Sequence, residues 1–349
     1  MDLSRYNERG QIGLHNLGNT CYINACIQIL SNTYELHELI HKPAFQKNLK
    51  KDEYGIITKE WMDLQDVLWS KNGRLSPQRF IHFVREVSKK KGYTLFSGYS
   101  QNDSCEFIMF FLEIIHKSAS RTVLFSINGV PRDEIDNLAI QCYKMKKEIY
   151  EKEYSEMLDL FYGMSFRKII SISTKKIHSI KPEMFFLLNL PVMDNNNNKL
   201  NTLDECIRAY LTPEALTGEN AWYNEETKEK EDVYMEAGFW DIPRVFVVNL
   251  SRFSPLGQKI QHIVDFSIDK LDMTPYISGY NSNDYVYELY GIVNHLGSIN
   301  NGHYTAFVKN SQNNWYHYDD EVIQRVSDES LLKTSHVYCL FYRQKNSLS

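Results

Sequence analysis

A chain of 349 residues, 43% of them hydrophobic, can bury one large core or two ordinary ones. Its 39 basic and 44 acidic residues leave a net charge of −5, which gives no electrostatic footprint for nucleic acid, and no apolar run approaches the ~20 residues of a membrane span. Six cysteines (21, 26, 105, 142, 206 and 339) without regular spacing suit free thiols in the reducing cytoplasm or nucleus better than a secreted disulfide framework, and the start, Met1 to Asn7, lacks the apolar core of a signal peptide.

Taken in chain order, the first informative stretch runs from Gly13 to Asn24. A polar, glycine-containing turn hands over to a helix read from Ile23, Cys26, Ile27 and Leu30, with Asn19 or Thr20 as its N-cap. Cys21 falls in the first turn, where unpaired N–H groups and the positive end of the helix favour an anion, as a thiolate nucleophile requires. The plainer alternative is a small buried hydrophobe. Lys50 to Glu53 reads as a solvated face. Helices follow around Trp61, Leu64 and Leu68, and after Ser76-Pro77 through Phe80, Ile81, Val84 and Val87. Ser100 and Asp103 read as an N-cap pair for a helix to His116 whose apolar face is Phe107, Ile108, Phe111, Ile114 and Ile115.

Leu138 to Leu160 reads as a charged helical insertion, and Met164 to Leu190 as strands broken by polar turns. Met184 to Val192 is strand-like, with a polar loop at Asn195 to Asn198 after it. From Arg244 onward strands dominate. Helices first and sheet later give an α+β class. Near the end, His303 to Lys309 and Asn314 to Asp319 form a hairpin around Asn310 to Asn313, which sets His303 opposite Asp319 or Asp320. An imidazole facing a carboxylate, with a helix-terminal cysteine elsewhere, points to nucleophilic catalysis.

These stretches resemble the ubiquitin-specific proteases, a family of papain-like cysteine deubiquitinases. The match runs in order over nearly the whole chain: Gly13 to Leu30 as a cysteine box, Gln101 to Phe107, Pro243 to Phe253 with Lys259 and Ile260, and Tyr287 to Val326 as a histidine box. The resemblance implies a helical thumb (10–120), an insertion and fingers (121–240) and a stranded palm (241–345) in one catalytic domain spanning 10–345. It implies Cys21 as nucleophile, His303 as base and then acid, Asp319 as the residue orienting His303 with Asp320 as its neighbour, and Asn16 as an oxyanion donor. By residues alone, Asn16 would be a local turn former.

On the same footing, Asp103 and Glu106 would hold the arginine-rich tail of ubiquitin, Tyr304 would flank its channel, and Gln101, Gly302 and His295 would line it. Asn102 stands where the family has a second glutamine. Ser254 to Lys259 and Leu296 to Asn301 match the family's gating loops. The implied partners are ubiquitin and ubiquitinated proteins, with no nucleic acid, membrane or cofactor, and a monomeric enzyme. Many relatives hold zinc in the fingers through two Cys-x-x-Cys pairs. Here the matching positions are Ser171 and Thr174, with Ser179 and Glu183 following, and then Asn224 and Thr227, so the fingers must hold by packing and strand pairing without stoichiometric zinc. The same boxes would serve a protease for another modifier ending in Gly-Gly, and family members with damaged triads act as binding scaffolds. In this chain Cys21, His303 and Asp319 are all present.

Overall fold

A computed structural model describes residues 2–280, 285–298 and 301–345. The first third is helical: α1 (Cys21–Ser31), α2 (Tyr34–His41), α3 (Pro43–Lys47), α4 (Glu53–Ser70), α5 (Gln78–Lys91) and α6 (Ser104–Ala119). Two short parallel strands, β1 (Ile12–Leu14) and β2 (Gly73–Leu75), tie its start to the loop before α5. Every residue of α1 is buried, because the helix lies between α6 on one side and the main sheet on the other. At roughly 1.5–3 kcal/mol for each large apolar side chain removed from water, Ile23, Ile27, Ile29 and Leu30 anchor this helix firmly.

Lys50 to Glu53 is not simply a solvated face. Lys50 N–H donates to the Ser118 carbonyl at 2.8 Å and its Nζ to the Lys117 carbonyl at 2.7 Å, while Asp52 caps α4 by accepting from Gly55 N–H at 3.0 Å. The expected insertion is two helices, α7 (Glu134–Glu153) and α8 (Glu156–Phe161). The break falls at Tyr154, whose backbone pairs with Arg121, and at Ser155, whose hydroxyl caps α8.

The strands make two main sheets. β3 (Gly163–Ser171), β4 (Ile177–Phe185), β6 (Glu214–Leu216) and β9 (Val233–Asp241) form one, in the order β4-β3-β9-β6, with α7 packed on it through Leu138, Ala139 and Cys142. A hairpin of β7 (Trp222–Asn224) and β8 (Glu229–Glu231) lies beside it in sequence. The other sheet holds β5 (Leu187–Pro191), β10 (Val245–Ser251), β12 (Val286–Ser298), β13 (Asn301–Lys309), β14 (Trp315–Asp319), β15 (Val322–Val326) and β16 (Val337–Gln344). Its order is β15-β14-β13-β12-β16-β10-β5, with β11 (Leu271–Asp272) paired to β12.

Met184 to Val192 is therefore two strands in two sheets: β4 pairs with β3, and β5 pairs in parallel with β10. One sheet face packs on the helical third. The other is covered by α9 (Leu203–Leu211), which buries Leu203, Cys206 and Ile207 and is opened by a capping box of Thr202 and Glu205. No helix among the described residues is long and apolar enough to cross a membrane.

At the fingers positions matched to zinc-binding cysteines, side-chain oxygens accept the local backbone hydrogens. Ser171 Oγ accepts from Thr174 N–H at 3.2 Å, and Asn224 Oδ1 accepts from Glu226 N–H at 2.9 Å and Thr227 N–H at 3.4 Å. Between these turns Glu231 takes a 3.0 Å bond from His178 Nε2, and the His178 ring stacks on Trp222. Hydrogen bonds from Ser171 and then His178 hold the Glu231 carboxyl below its usual range. Ser179 and Glu183 lie apart along β4, opposite Ile169 and Ser165.

Candidate active site

Cys21 is the first residue of α1, so its own N–H is among the donors that a helix start leaves unpaired. Thr20 occupies the N-cap position but does not cap. Its hydroxyl turns back to accept from Leu17 N–H at 2.8 Å, and Asn16 Oδ1 gathers the N–H groups of Gly18 and Thr20, both at 3.1 Å. Gly18 and Asn19 both adopt positive φ, of 86° and 56°, which lets this loop coil tightly before the cysteine.

His303 reaches Cys21 from β13. Its Nε2 lies 2.7 Å from Asp319 Oδ1, and because a carboxylate accepts, Nε2 carries the hydrogen and Nδ1 is left for the thiol. A hydrogen bond with Cys21 and then the one with Asp319 raise His303 to about 9 against the pull of burial. The hairpin differs in detail from the pairing expected. Its register is Ala306 with Tyr318 and Lys309 with Trp315, fixed by Asn310 Oδ1 accepting from Gln312 and Asn314 N–H. In that register Asp319 is not directly opposite His303. The two meet diagonally beyond the last backbone pair, a reach open to an imidazole and a carboxylate on one face.

Asp320 does not bond to His303. It sits at φ 47° in the turn after β14 and braces the cysteine segment. Its Oδ2 accepts from Asn16 Nδ2 at 2.9 Å, its Oδ1 from the buried Asn24 Nδ2 at 2.8 Å, and its carbonyl from Leu14 N–H at 2.8 Å. A side chain at Gly13 would stand 2.3 Å from the Glu321 carbonyl oxygen, so the approach of β1 to this turn requires glycine. The second hydrogen of the Asn16 amide is uncommitted among the described residues. Asn24 was missed by sequence reasoning. Its signal is a polar residue three positions after Cys21 on a wholly buried helix.

A cleft of about 540 Å³ runs between α6 and the sheet, lined by Gln101, Asp103, Glu106, His295, Gly302 and Tyr304, all expected there, and also by Asn249 and Tyr338, which were not. Asp103 is the N-cap of α6, and Ser100 takes no part in the cap. Asp103 Oδ1 accepts from Cys105 and Glu106 N–H at 2.8 and 3.0 Å, and its Oδ2 from the Tyr304 and Tyr338 hydroxyls at 3.3 and 2.6 Å. Both tyrosines are pushed above their usual range by burial first. With its carboxylate so occupied, Asp103 shapes the cleft, and the acid open to a ligand is Glu106. Burial and then Asp103 raise the Glu106 carboxyl. Asn249 donates to Asn189 at 2.8 Å, which leaves its buried Oδ1 as a further acceptor.

Gln101 grips the strand that carries His303. Its Nε2 donates to the Gly302 carbonyl at 2.8 Å and its Oε1 accepts from Gly302 N–H at 3.1 Å. His295 is buried against the same glycine, where an added Cβ would lie 2.0 Å from its Nε2, and burial followed by the nearby Lys259 lowers it to about 4. Asn102 Nδ2 bonds the Tyr22 hydroxyl at 3.1 Å. Of the expected gating loops, the first closes through Gly257 N–H to the Ser254 carbonyl at 2.8 Å. In the second, Ile299 and Asn300 lie outside the described residues.

Known proteins align with this arrangement over almost all of its length. The human ubiquitin carboxyl-terminal hydrolase 2 is 28% identical over 348 residues, covering 96% of this chain and 55% of its own, and the human ubiquitin carboxyl-terminal hydrolase 21 is 30% identical over 357 residues, covering 96% and 61%. The chain thus spans a little over half the length of these relatives. Among solved structures, the SAGA DUB module of Ubp8, Sgf11, Sus1 and Sgf73 bound to ubiquitin aldehyde is 23% identical with a TM-score of 0.74, covering 99% of this chain and 72% of that one. The yeast SAGA DUB module with an Sgf73 mutant gives 0.73 at 23% identity, covering 99% and 71%. That likeness shows the fold, α+β of the papain-like kind. A family model described as ubiquitin carboxyl-terminal hydrolase matches residues 12–342, and the chain belongs to that family.

Proposed function

We propose that this chain is a thiol-dependent deubiquitinase that hydrolyses the isopeptide bond after the C-terminal glycine of ubiquitin, acting in the cytoplasm or nucleus. The observation that carries the reading is His303 set between Cys21 and Asp319 at the end of a cleft with acceptors for a basic, extended tail. Family membership and the likeness to a fold solved with ubiquitin aldehyde support it.

In this reading the Cys21 proton passes to His303 Nδ1 and the sulfur attacks the glycine carbonyl. The developing oxyanion is met by the Cys21 N–H and the free hydrogen of the Asn16 amide. His303 then returns the proton to the departing lysine amine, leaving a thioester on Cys21. Water, deprotonated by His303, attacks the thioester, and the thiol and the carboxylate of ubiquitin are regenerated. Asp319 holds the ring and stabilises its charged form.

Because Asp319 is one of the groups that raise His303, Asp319→Asn removes a preference for the imidazolium. The alkaline limb of kcat/KM should therefore move to lower pH in that variant. A pH profile whose alkaline limb stays in place would count against Asp319 as the orienting residue.

The direct test is reaction of the chain with ubiquitin bearing a C-terminal electrophile, read by intact mass beside Cys21→Ala. An adduct that needs Cys21 establishes nucleophile and modifier together. An adduct with a different Gly-Gly modifier in place of ubiquitin would keep the chemistry and replace the substrate, and no adduct with any modifier would overturn the reading.

A further inference from the structure

Away from the cleft, the helical third carries another cluster of metal-ligating side chains. His37 and His41 stand one turn apart on α2, and Asp66 meets them from α4, with one ligand atom of each within 4.8 Å of the others. His41 Nε2 is 3.4 Å from Asp66 Oδ1. Hydrogen bonds on the outer side of each ring decide what faces inward. His41 Nδ1 lies 2.8 Å from the His37 carbonyl, which can only accept, so Nδ1 carries a hydrogen and in the neutral ring Nε2 is the lone-pair nitrogen, on the side of Asp66.

The Tyr6 hydroxyl gives its one hydrogen to Glu38 at 3.0 Å and accordingly accepts from His37 Nδ1 at 2.8 Å, so His37 Nε2 is a lone pair too. His41 Nε2 is buried and finds no hydrogen-bond donor. The two rings stack with centroids 4.2 Å apart, and with Asp66 they bring one ligand atom each within 4.8 Å of the others, while each ring has the outer hydrogen bond that orients a metal-bound histidine.

We propose that His37, His41 and Asp66 form a binding site for a divalent transition cation of the zinc class, which would clip α2 to α4. Two ring nitrogens and one carboxylate suit Zn²⁺, Co²⁺, Ni²⁺ or Cu²⁺, whereas Ca²⁺ and Mg²⁺ require oxygen ligands almost throughout. Three protein ligands leave room for water. The Asp66 side chain is 70% exposed, so the ion exchanges readily and the site takes up added metal rather than carrying it through purification. This separates it from a cysteine ribbon in the fingers.

The other such cluster among the described residues is His303, Asp319 and Asp320, so the test is made on the full chain carrying Cys21→Ala and His303→Gln. After treatment with chelator, this protein is titrated with zinc chloride by calorimetry and melted with and without zinc. One equivalent should bind, with a rise in Tm. Adding His41→Gln should weaken binding by at least about 100-fold and abolish the rise, and Asp66→Asn should weaken it by about 10-fold. Asp66 is exposed, so its variant remains decisive if His41→Gln does not fold. No uptake by the parent protein, as a plain His41–Asp66 ion pair would give, overturns the proposal, and so does uptake that neither substitution changes.

Discussion

Cys21→Ala should reduce turnover of a fluorogenic ubiquitin amide to background, and His303→Ala should reduce it by about 10⁴-fold or more, because groups that act as one unit each cost nearly the whole effect. Ubiquitin affinity should stay within a few-fold in Cys21→Ala, since the cleft is lined by other residues, Glu106 and Gln101 among them. The His303 effect should fall mainly on kcat. Its ring contacts the thiol and Asp319, so its loss removes proton transfer and leaves the cleft intact. Residual turnover by Cys21→Ala above a buffer blank would refute the nucleophile assignment.

The second large effect is expected at Asp320, whose hydrogen bonds go to Asn16, Asn24 and Leu14 rather than to the imidazole. Its carboxylate holds Asn16 and Asn24 at once, at 2.9 and 2.8 Å. Asp320→Ala frees the Asn16 amide, and if that amide is the oxyanion donor proposed above, its loss should cost the ~10²–10³ in rate typical of one such donor. Asn16→Ala should cost as much. If Asp320 acts through Asn16, the double variant should be no slower than Asn16→Ala alone, since effects within one network do not add. Rate losses that multiply would show that the carboxylate acts by another route. A drop in kcat with little change in Tm would separate this positioning role from general loosening of the turn.

What the sequence made legible was mostly local. The start of α1 follows from the loop before Cys21, and the hairpin at Asn310 from a run of turn-forming residues, so Cys21 and His303 with either Asp319 or Asp320 could be nominated before any fold was known, and the family resemblance chose Asp319. The exact register could not, because it depends on how the Asn310 side chain takes up the turn. Contacts across long sequence separations were also hidden. Nothing in the neighbourhood of Asp103 tells that Tyr304 and Tyr338 will occupy its second oxygen, or that Asn24 and Asp320 will meet. α2 escaped notice because Glu35 and His37 are buried on it and blur its apolar stripe. α9 had a readable start in Thr202 and Glu205 that was passed over. β5 joins the far edge of the main sheet through a parallel pairing with β10, a topological choice that periodicity does not encode.

The packing of His295 onto Gly302 has a pharmacological consequence. The imidazole of His295 fills the space a side chain at 302 would need, and it forms part of the cleft wall one residue from His303. A small molecule that wedges under this ring would push the 302–303 backbone and misalign the base without approaching sulfur, and a misplacement of about 1 Å can cost ~10²-fold in rate. Such a compound would inhibit reversibly, would be spared by thiol-scavenging conditions, and would owe its selectivity to the cleft rather than to a reactive warhead.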